Sequence, residues 1–113
     1  MASGRLTTHV LDTANGRPAA GMTVELYQLD GDAALIGAQR TNADGRTDQP
    51  MLAGEDFTPG RYELRFHVGD YFAAIDLPFL EVVPVRFAIA DASGHYHVPL
   101  LLSPFGYSIY RGS

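Results

Sequence analysis

Arg61-Tyr62-Glu63-Leu64-Arg65-Phe66-His67-Val68 decides how this chain is read, because polar or charged side chains at 61, 63, 65 and 67 alternate with apolar ones at 62, 64, 66 and 68. Side chains two apart share a face of an extended strand, so such a stretch buries one face and wets the other. Gly69 closes it. Toward the N-terminus, residues 48–60 read as a loop broken by Pro50, Gly54, Pro59 and Gly60. Residues 35–41 form a strand closed by Asn42-Ala43-Asp44-Gly45, where Asp-Gly supplies the positive φ of a tight turn and delivers Arg46 at a strand end. Residues 22–29 alternate as another strand. Asn15-Gly16 centres a turn cluster at 12–18, and residues 6–11 are a first strand. Toward the C-terminus, residues 70–76 read as one short helix, with Asp70 at its N-cap and Pro78 beyond its end. Strands follow at 82–90, 96–102 and 107–111, with Pro84 and Pro99 expected at edges or irregular points because proline cannot donate to a ladder. About seven or eight short strands at this spacing predict an all-β sandwich.

Composition fits that reading and narrows the function. The 113 residues predict a single domain spanning 1–113, too small to enclose a deep pocket, and 46% hydrophobic with 19% charged residues is ordinary globular usage. Eight Lys and Arg against thirteen Asp and Glu give a net charge of −5, which speaks against nucleic acid or an anionic membrane surface as partner. With no cysteine, there are no disulfides, thiolate metal sites or cysteine nucleophiles. The N-terminal residues lack the apolar run of a secretory signal and no stretch approaches a membrane span, so the cytosol, a cytoplasmic location, is the expectation.

Four histidines, His9, His67, His95 and His97, are the first candidates for chemistry near neutral pH. His67, ending an alternating strand, reads as structural. Strand alternation puts His95 and His97 on one face about 6.6 Å apart, with Tyr96 opposite. That permits a metal pair, but a zinc site needs a third ligand from His9, His67 or a carboxylate, and no spacing signposts one. The alternative is one catalytic imidazole beside a structural neighbour. The planar fork of Arg46 suits a planar, anionic or carbonyl-rich ligand. Residues 108–113 keep strand-like patterning to the end, which predicts a tethered terminus. A Gly-x-Ser-x-Gly elbow, a P-loop and a dinucleotide glycine pattern are all absent. The residues alone lead to a small β-sandwich carrying a His/Arg group that binds or hydrolyses a polar molecule.

Leu6-Thr7-Thr8-His9-Val10-Leu11-Asp12, Gly16-Arg17-Pro18-Ala19, Asp44-Gly45-Arg46, the run His95-Tyr96-His97-Val98-Pro99-Leu100-Leu101-Leu102-Ser103-Pro104 and the ending Tyr107-Ser108-Ile109-Tyr110-Arg111-Gly112-Ser113 together resemble the 5-hydroxyisourate hydrolases. These are the transthyretin-related enzymes of purine degradation, and the resemblance covers the whole chain. It implies a transthyretin-like β-sandwich of about eight strands with one short helix. The implied reaction is hydrolytic opening of the six-membered ring of 5-hydroxyisourate to 2-oxo-4-hydroxy-4-carboxy-5-ureidoimidazoline, with no metal or organic cofactor. Carried over by position, His9, Arg46, His97 and Ser113 are the implied catalytic residues, and His9, Arg46 and Tyr110 the implied substrate-binding ones. Ile109 departs from the threonine more usual in the terminal motif, outside that set. The resemblance also implies a homotetramer with its sites at the dimer–dimer interface. Transthyretin, a thyroid-hormone carrier of the same fold, lacks the terminal Tyr-Arg-Gly-Ser and the histidine and arginine set, which leaves small-ligand carriage as the alternative function.

Overall fold

The computed structural model of the chain describes residues 3–72 and 78–113. Among them the elements run β1 (Arg5–Asp12), β2 (Arg17–Pro18), β3 (Thr23–Gln28), β4 (Ala34–Arg40), β5 (Leu52–Ala53), β6 (Gly60–Phe66), α1 (Val68–Tyr71), β7 (Val83–Ile89), β8 (His95–Ser103) and β9 (Gly106–Ile109). They build two sheets. One has the order β2-β1-β8-β9 with β5 also paired to β1, and the other has the order β4-β3-β6-β7. The fold is the all-β sandwich that the strand alternation predicts.

Burial along β1 alternates strictly, Leu6, Thr8, Val10 and Asp12 facing inward. In β8, Tyr96, Val98, Leu100 and Leu102 do the same. They meet Val24, Leu26, Leu64, Phe66 and Val83 of the second sheet, and Phe57 fills the space from the β5–β6 connection. At about 25 cal/mol per Å² of apolar surface removed from water, these aliphatic and aromatic rows supply most of the drive to close the sandwich. The two polar residues of β1 on this inner face are both satisfied. Thr8 Oγ1 donates to the Val98 carbonyl at 2.7 Å. Asp12 accepts from Tyr71 Oη at 2.6 Å and from the Asn15 side chain at 2.7 Å. Burial opposes ionisation of Asp12, but those bonds and the backbone amides of Asn15 and Ala14 outweigh it and hold the carboxyl below its ordinary range.

Several boundaries differ from the sequence reading. The helix begins at Val68, two residues before the expected Asp70, and His67 stands at its N-cap without a side-chain capping bond. The His67 amide still donates to Thr23 of the sheet at 3.0 Å, and the chain coils directly off that last ladder bond. The remainder of the expected helix, at 73–77, lies outside the described residues. Residues 48–60, read as loop, contain β5 and a 3₁₀ turn at Gly54–Asp56, because Met51 N–H reaches the Leu6 carbonyl at 2.8 Å and draws the chain along β1. In the same way Arg17–Pro18 lies against β1 within the expected turn. Glu63, on the polar side of the alternation, is 3% exposed. Arg65 and Arg86 close over it. Pro84 sits on the edge strand β7. Pro99 is in β8 between β1 and β9, where the β8–β9 ladder breaks off at Leu100↔Ile109.

Candidate active site

Because β1 and β8 run parallel, with Arg5 opposite His95, Thr7 opposite His97 and His9 opposite Pro99, the odd-numbered side chains of both strands form one outward-facing surface. Adjacent strands lie about 4.8 Å apart, so these pairs are neighbours. This puts His9 and His97, 88 positions apart in the chain, on the same patch.

Arg46 reaches the patch through its turn. Gly45 has φ of 77°, and a side chain there would strike the carbonyl of Val10. Only glycine makes this turn this close to β1. The turn is stitched from within by Asn42 Oδ1, which accepts from the amides of Asp44 at 2.9 Å and Arg46 at 3.2 Å. It is fastened to β1 by Val10 N–H donating to the Gly45 carbonyl at 2.8 Å and by the bridge His9↔Arg46. The His9 ring closes the contact, with Nε2–H donating to the Asp44 carbonyl at 2.8 Å. A carbonyl only accepts, so neutral His9 carries its hydrogen on Nε2 and presents Nδ1 as its basic nitrogen.

The C-terminal segment arrives from the other side. After the interruption at Val98 and Pro99 the chain resumes the β8–β9 register, with Gly112 N–H donating to the His97 carbonyl at 2.8 Å. The terminus is tethered, as the sequence patterning predicts. A Cβ on Gly112 would stand 2.6 Å from Cδ2 of His97, so glycine lets the tail lie against the imidazole. Arg111 anchors the same segment by placing its guanidinium 4.1 Å from the centroid of the Tyr96 ring.

The result is an open pocket of about 220 Å³. Arg5, Thr7, His95 and His97 supply its strand side, and Arg46, Thr47 and Ser113 its loop and tail side. Three of the five site residues carried over from the resemblance, Arg46, His97 and Ser113, therefore line one cavity, and His9 abuts it through its bridge to Arg46. Tyr110 is 53% exposed and is not part of the lining. Thr7, Arg5 and Thr47 line the pocket without having been singled out as reactive, and His95, weighed from the sequence as the neighbour of His97, lines it as well. For Thr7 the signal lay in its position two residues before His9, on the same strand face.

Electrostatically the pocket is positive. Burial, then the charge of Arg46, then the neighbouring His95 and His9, hold His97 below its ordinary value of 6.5. Burial and then Arg5 lower His95 likewise. Neutral imidazole is thus favoured beside a fixed guanidinium, the combination needed to accept a proton and stabilise developing negative charge. Among the described residues, no group of three or more His, Asp or Glu stands close enough to hold a metal ion. A larger groove of about 750 Å³ on the second sheet holds Glu63, Arg65, Arg86, Glu25 and His67. Its charges are spent on one another, Arg65 and Arg86 meeting Glu63 at 2.5 and 2.7 Å and His67 meeting Glu25 at 2.6 Å.

Residues 6–112 match the family model described as the HIUase/Transthyretin family. The chain belongs to that family. Within it, the chain is 64% identical over 98% of its length to 5-hydroxyisourate hydrolase 2 of Rhizobium meliloti, 98% of which is covered. The solved 5-hydroxyisourate hydrolase of Klebsiella pneumoniae superposes with a TM-score of 0.81 at 36% identity, covering 96% of this chain and 99% of that one. The transthyretin of Sparus aurata superposes with a TM-score of 0.87 at 30% identity, covering 96% of each chain. The family thus spans hydrolases and transthyretin on one sandwich, so the residues of the pocket, rather than the fold, must separate the two activities.

Proposed function

We propose that this chain is a hydrolase that opens the six-membered ring of 5-hydroxyisourate by adding water to a ring carbonyl, giving 2-oxo-4-hydroxy-4-carboxy-5-ureidoimidazoline. The observation that carries this reading is the convergence of Arg46, His97 and Ser113 on one pocket with His9 at its border. Water is a weak nucleophile at neutral pH and must lose a proton as it attacks. His9 accepts that proton at Nδ1, the nitrogen left basic by the Nε2–H bond to Asp44. Arg46, held by its turn and facing the planar substrate, orients it and stabilises the oxyanion that forms at the attacked carbon. His97 and the Ser113 hydroxyl pass a proton on toward the departing ring nitrogen, completing the hydrolysis without net proton loss. Tyr110, outside the lining of the pocket, is assigned to substrate binding by the family resemblance alone.

The pocket is smaller than the roughly 300 Å³ at which ligand cavities usually begin, and it opens outward from the β1/β8 sheet. A second copy of the chain facing that sheet would deepen it. Among the described residues the same sheet ends in the edge strand β9, near which Phe105, Tyr107 and Tyr110 are exposed at 80, 46 and 53%. These features support a homotetramer whose sites lie between dimers. Among the described residues no helix is long and apolar enough to cross a membrane, and a cytoplasmic site of action belongs to the same proposal.

Generating 5-hydroxyisourate in situ with urate oxidase and following its ultraviolet decay tests the reading. Addition of the protein accelerates decay, and His9→Ala, Arg46→Ala and His97→Ala each remove about 10²- to 10³-fold of the rate while the fold persists. Decay at the spontaneous rate refutes the hydrolase, and saturable thyroid-hormone binding without hydrolysis would put a carrier in its place.

A further inference from the structure

The hydroxyl of Thr7 stands between two imidazoles, 2.8 Å from Nε2 of His95 and 2.8 Å from Nδ1 of His97. A hydroxyl has one hydrogen, so it donates to one ring nitrogen and accepts from the other. With both rings neutral, two arrangements follow. In the first, His95 Nε2–H donates to Thr7, Thr7 donates to His97 Nδ1, and the hydrogen of His97 sits on Nε2. In the second, His97 Nδ1–H donates to Thr7, Thr7 donates to His95 Nε2, and Nε2 of His97 is the basic nitrogen. The tautomer of one ring sets the tautomer of the other.

The strand register builds this contact in. Thr7 is opposite His97, and His95 is the next residue of β8 on that face. The two ring centroids are 6.0 Å apart, and the Thr7 hydroxyl fills the gap between their nitrogens. All three side chains line the pocket, with His97 half-buried and His95 exposed. The groups facing them are cationic or basic: Arg46 from the turn and His9 from β1 act on His97, and Arg5 from β1 acts on His95. A proton taken up at His97 is therefore poorly stored there.

The geometry points to Thr7 as a positioning residue that couples His97 to His95 and gives the pocket a proton path to solvent. This rests on the hydrolase reading above. A proton arriving at His97 Nε2 sends the Nδ1 hydrogen to Thr7 Oγ1. The Thr7 hydrogen passes to His95 Nε2, and the His95 Nδ1 hydrogen leaves to water. Only N–H and O–H bonds change, and the positive charge ends outside the pocket. Run backward, the path returns a proton to His97 for the departing ring nitrogen.

Thr7→Val preserves the branched shape of the side chain and removes the hydroxyl. The expected result is a fall in kcat of about tenfold to a hundredfold with KM little changed, and an altered acid limb of the pH–rate profile. In protein labelled with ¹⁵N in the histidine rings, the His97 nitrogen shifts move to a different tautomer balance. Thr7→Ser restores both the rate and the shifts, and His95→Phe reproduces the loss of kcat. Wild-type kcat and unchanged His97 shifts in Thr7→Val overturn the coupling, as does a Thr7→Ser variant that restores neither. If the unaltered protein fails to hydrolyse 5-hydroxyisourate, the hydrolase reading falls. The ring-nitrogen shifts, recorded without substrate, then still decide whether Thr7 sets the tautomer.

Discussion

His97 takes its character from what surrounds it. Its imidazole is half-buried, its Nδ1 meets the Thr7 hydroxyl, its carbonyl receives the Gly112 amide, and Arg46 sets a positive charge nearby. Burial and that charge both disfavour the imidazolium, so the ring stays neutral to lower pH than an ordinary histidine. The sign for activity follows. In passing a proton on, His97 must be neutral to receive one, so the acid limb of the kcat profile assigned to His97 falls below pH 6.5, the ordinary value, and removing the Arg46 charge with Arg46→Gln moves that limb upward even as the rate drops. The sign for stability agrees. Between the lowered folded pKa and the ordinary unfolded one, the unfolded chain binds more protons, so this contribution is present above pH 6.5 and is lost as pH falls through the folded value. A pH–rate titration of both proteins that places the limb at or above 6.5 in the unaltered one would remove His97 as its source. At this level the sequence was informative about residue types and silent about partners. Asp-Gly at 44–45 announces a tight turn because few other pairs tolerate a positive φ. Nothing local to Thr7 says that its hydroxyl meets residues 95 and 97, since parallel pairing joins residues 90 positions apart.

Short connections place the chemistry. The Asn42–Arg46 turn has little internal apolar burial and depends on Gly45 lying under the Val10 carbonyl. Gly45→Ala would add left-handed strain and a collision with that carbonyl, and is expected to cost about 2 kcal/mol or more. It should also release Arg46 from its bridge to His9, so that activity falls further than thermal stability accounts for. Chemical denaturation and steady-state rates on the same preparation measure both, and an unchanged midpoint would mean the turn relaxes freely. Sequence patterning works over most of the stretches 6–11, 22–29 and 61–66, because burial repeats with the period of the pleat. It fails where an element depends on a distant partner. β5 exists because Met51 N–H bonds the Leu6 carbonyl, and Glu63 is buried because Arg65 and Arg86 cover it and hold its carboxyl below the ordinary range. The helix starts early at Val68 because its first residues leave directly from the last ladder bond of β6.

For the molecule as a whole, a pocket of about 220 Å³ on an outward-facing sheet is too shallow to exclude water around a flat bicyclic substrate. The proposed tetramer supplies the missing wall. Light scattering at micromolar concentration is expected to give four copies of the 12.2 kDa chain, and activity per chain is expected to fall on dilution as the assembly dissociates. A monodisperse monomer with full activity would place the whole site within one chain. The tethered tail bears on the same point. Ser113 lines the pocket and Gly112 lies against His97, so extending the chain beyond Ser113 should impair turnover more than an addition before Met1.

The amino-acid order was sufficient for the class of fold and for nominating the candidate groups of the site. Alternation with the period of a strand is a local consequence of burying one face, and motifs such as Asp44-Gly45-Arg46 and His95-Tyr96-His97 are carried by neighbouring residues. What needed three dimensions is which of those groups meet. The parallel register of β1 on β8, the turn under Val10 and the resumed register at Gly112 bring residues 7, 46, 97 and 113 to one cavity. These are long-range hydrogen bonds and packing contacts, whose energies depend on distance in space, and the chain's local pattern carries no record of them.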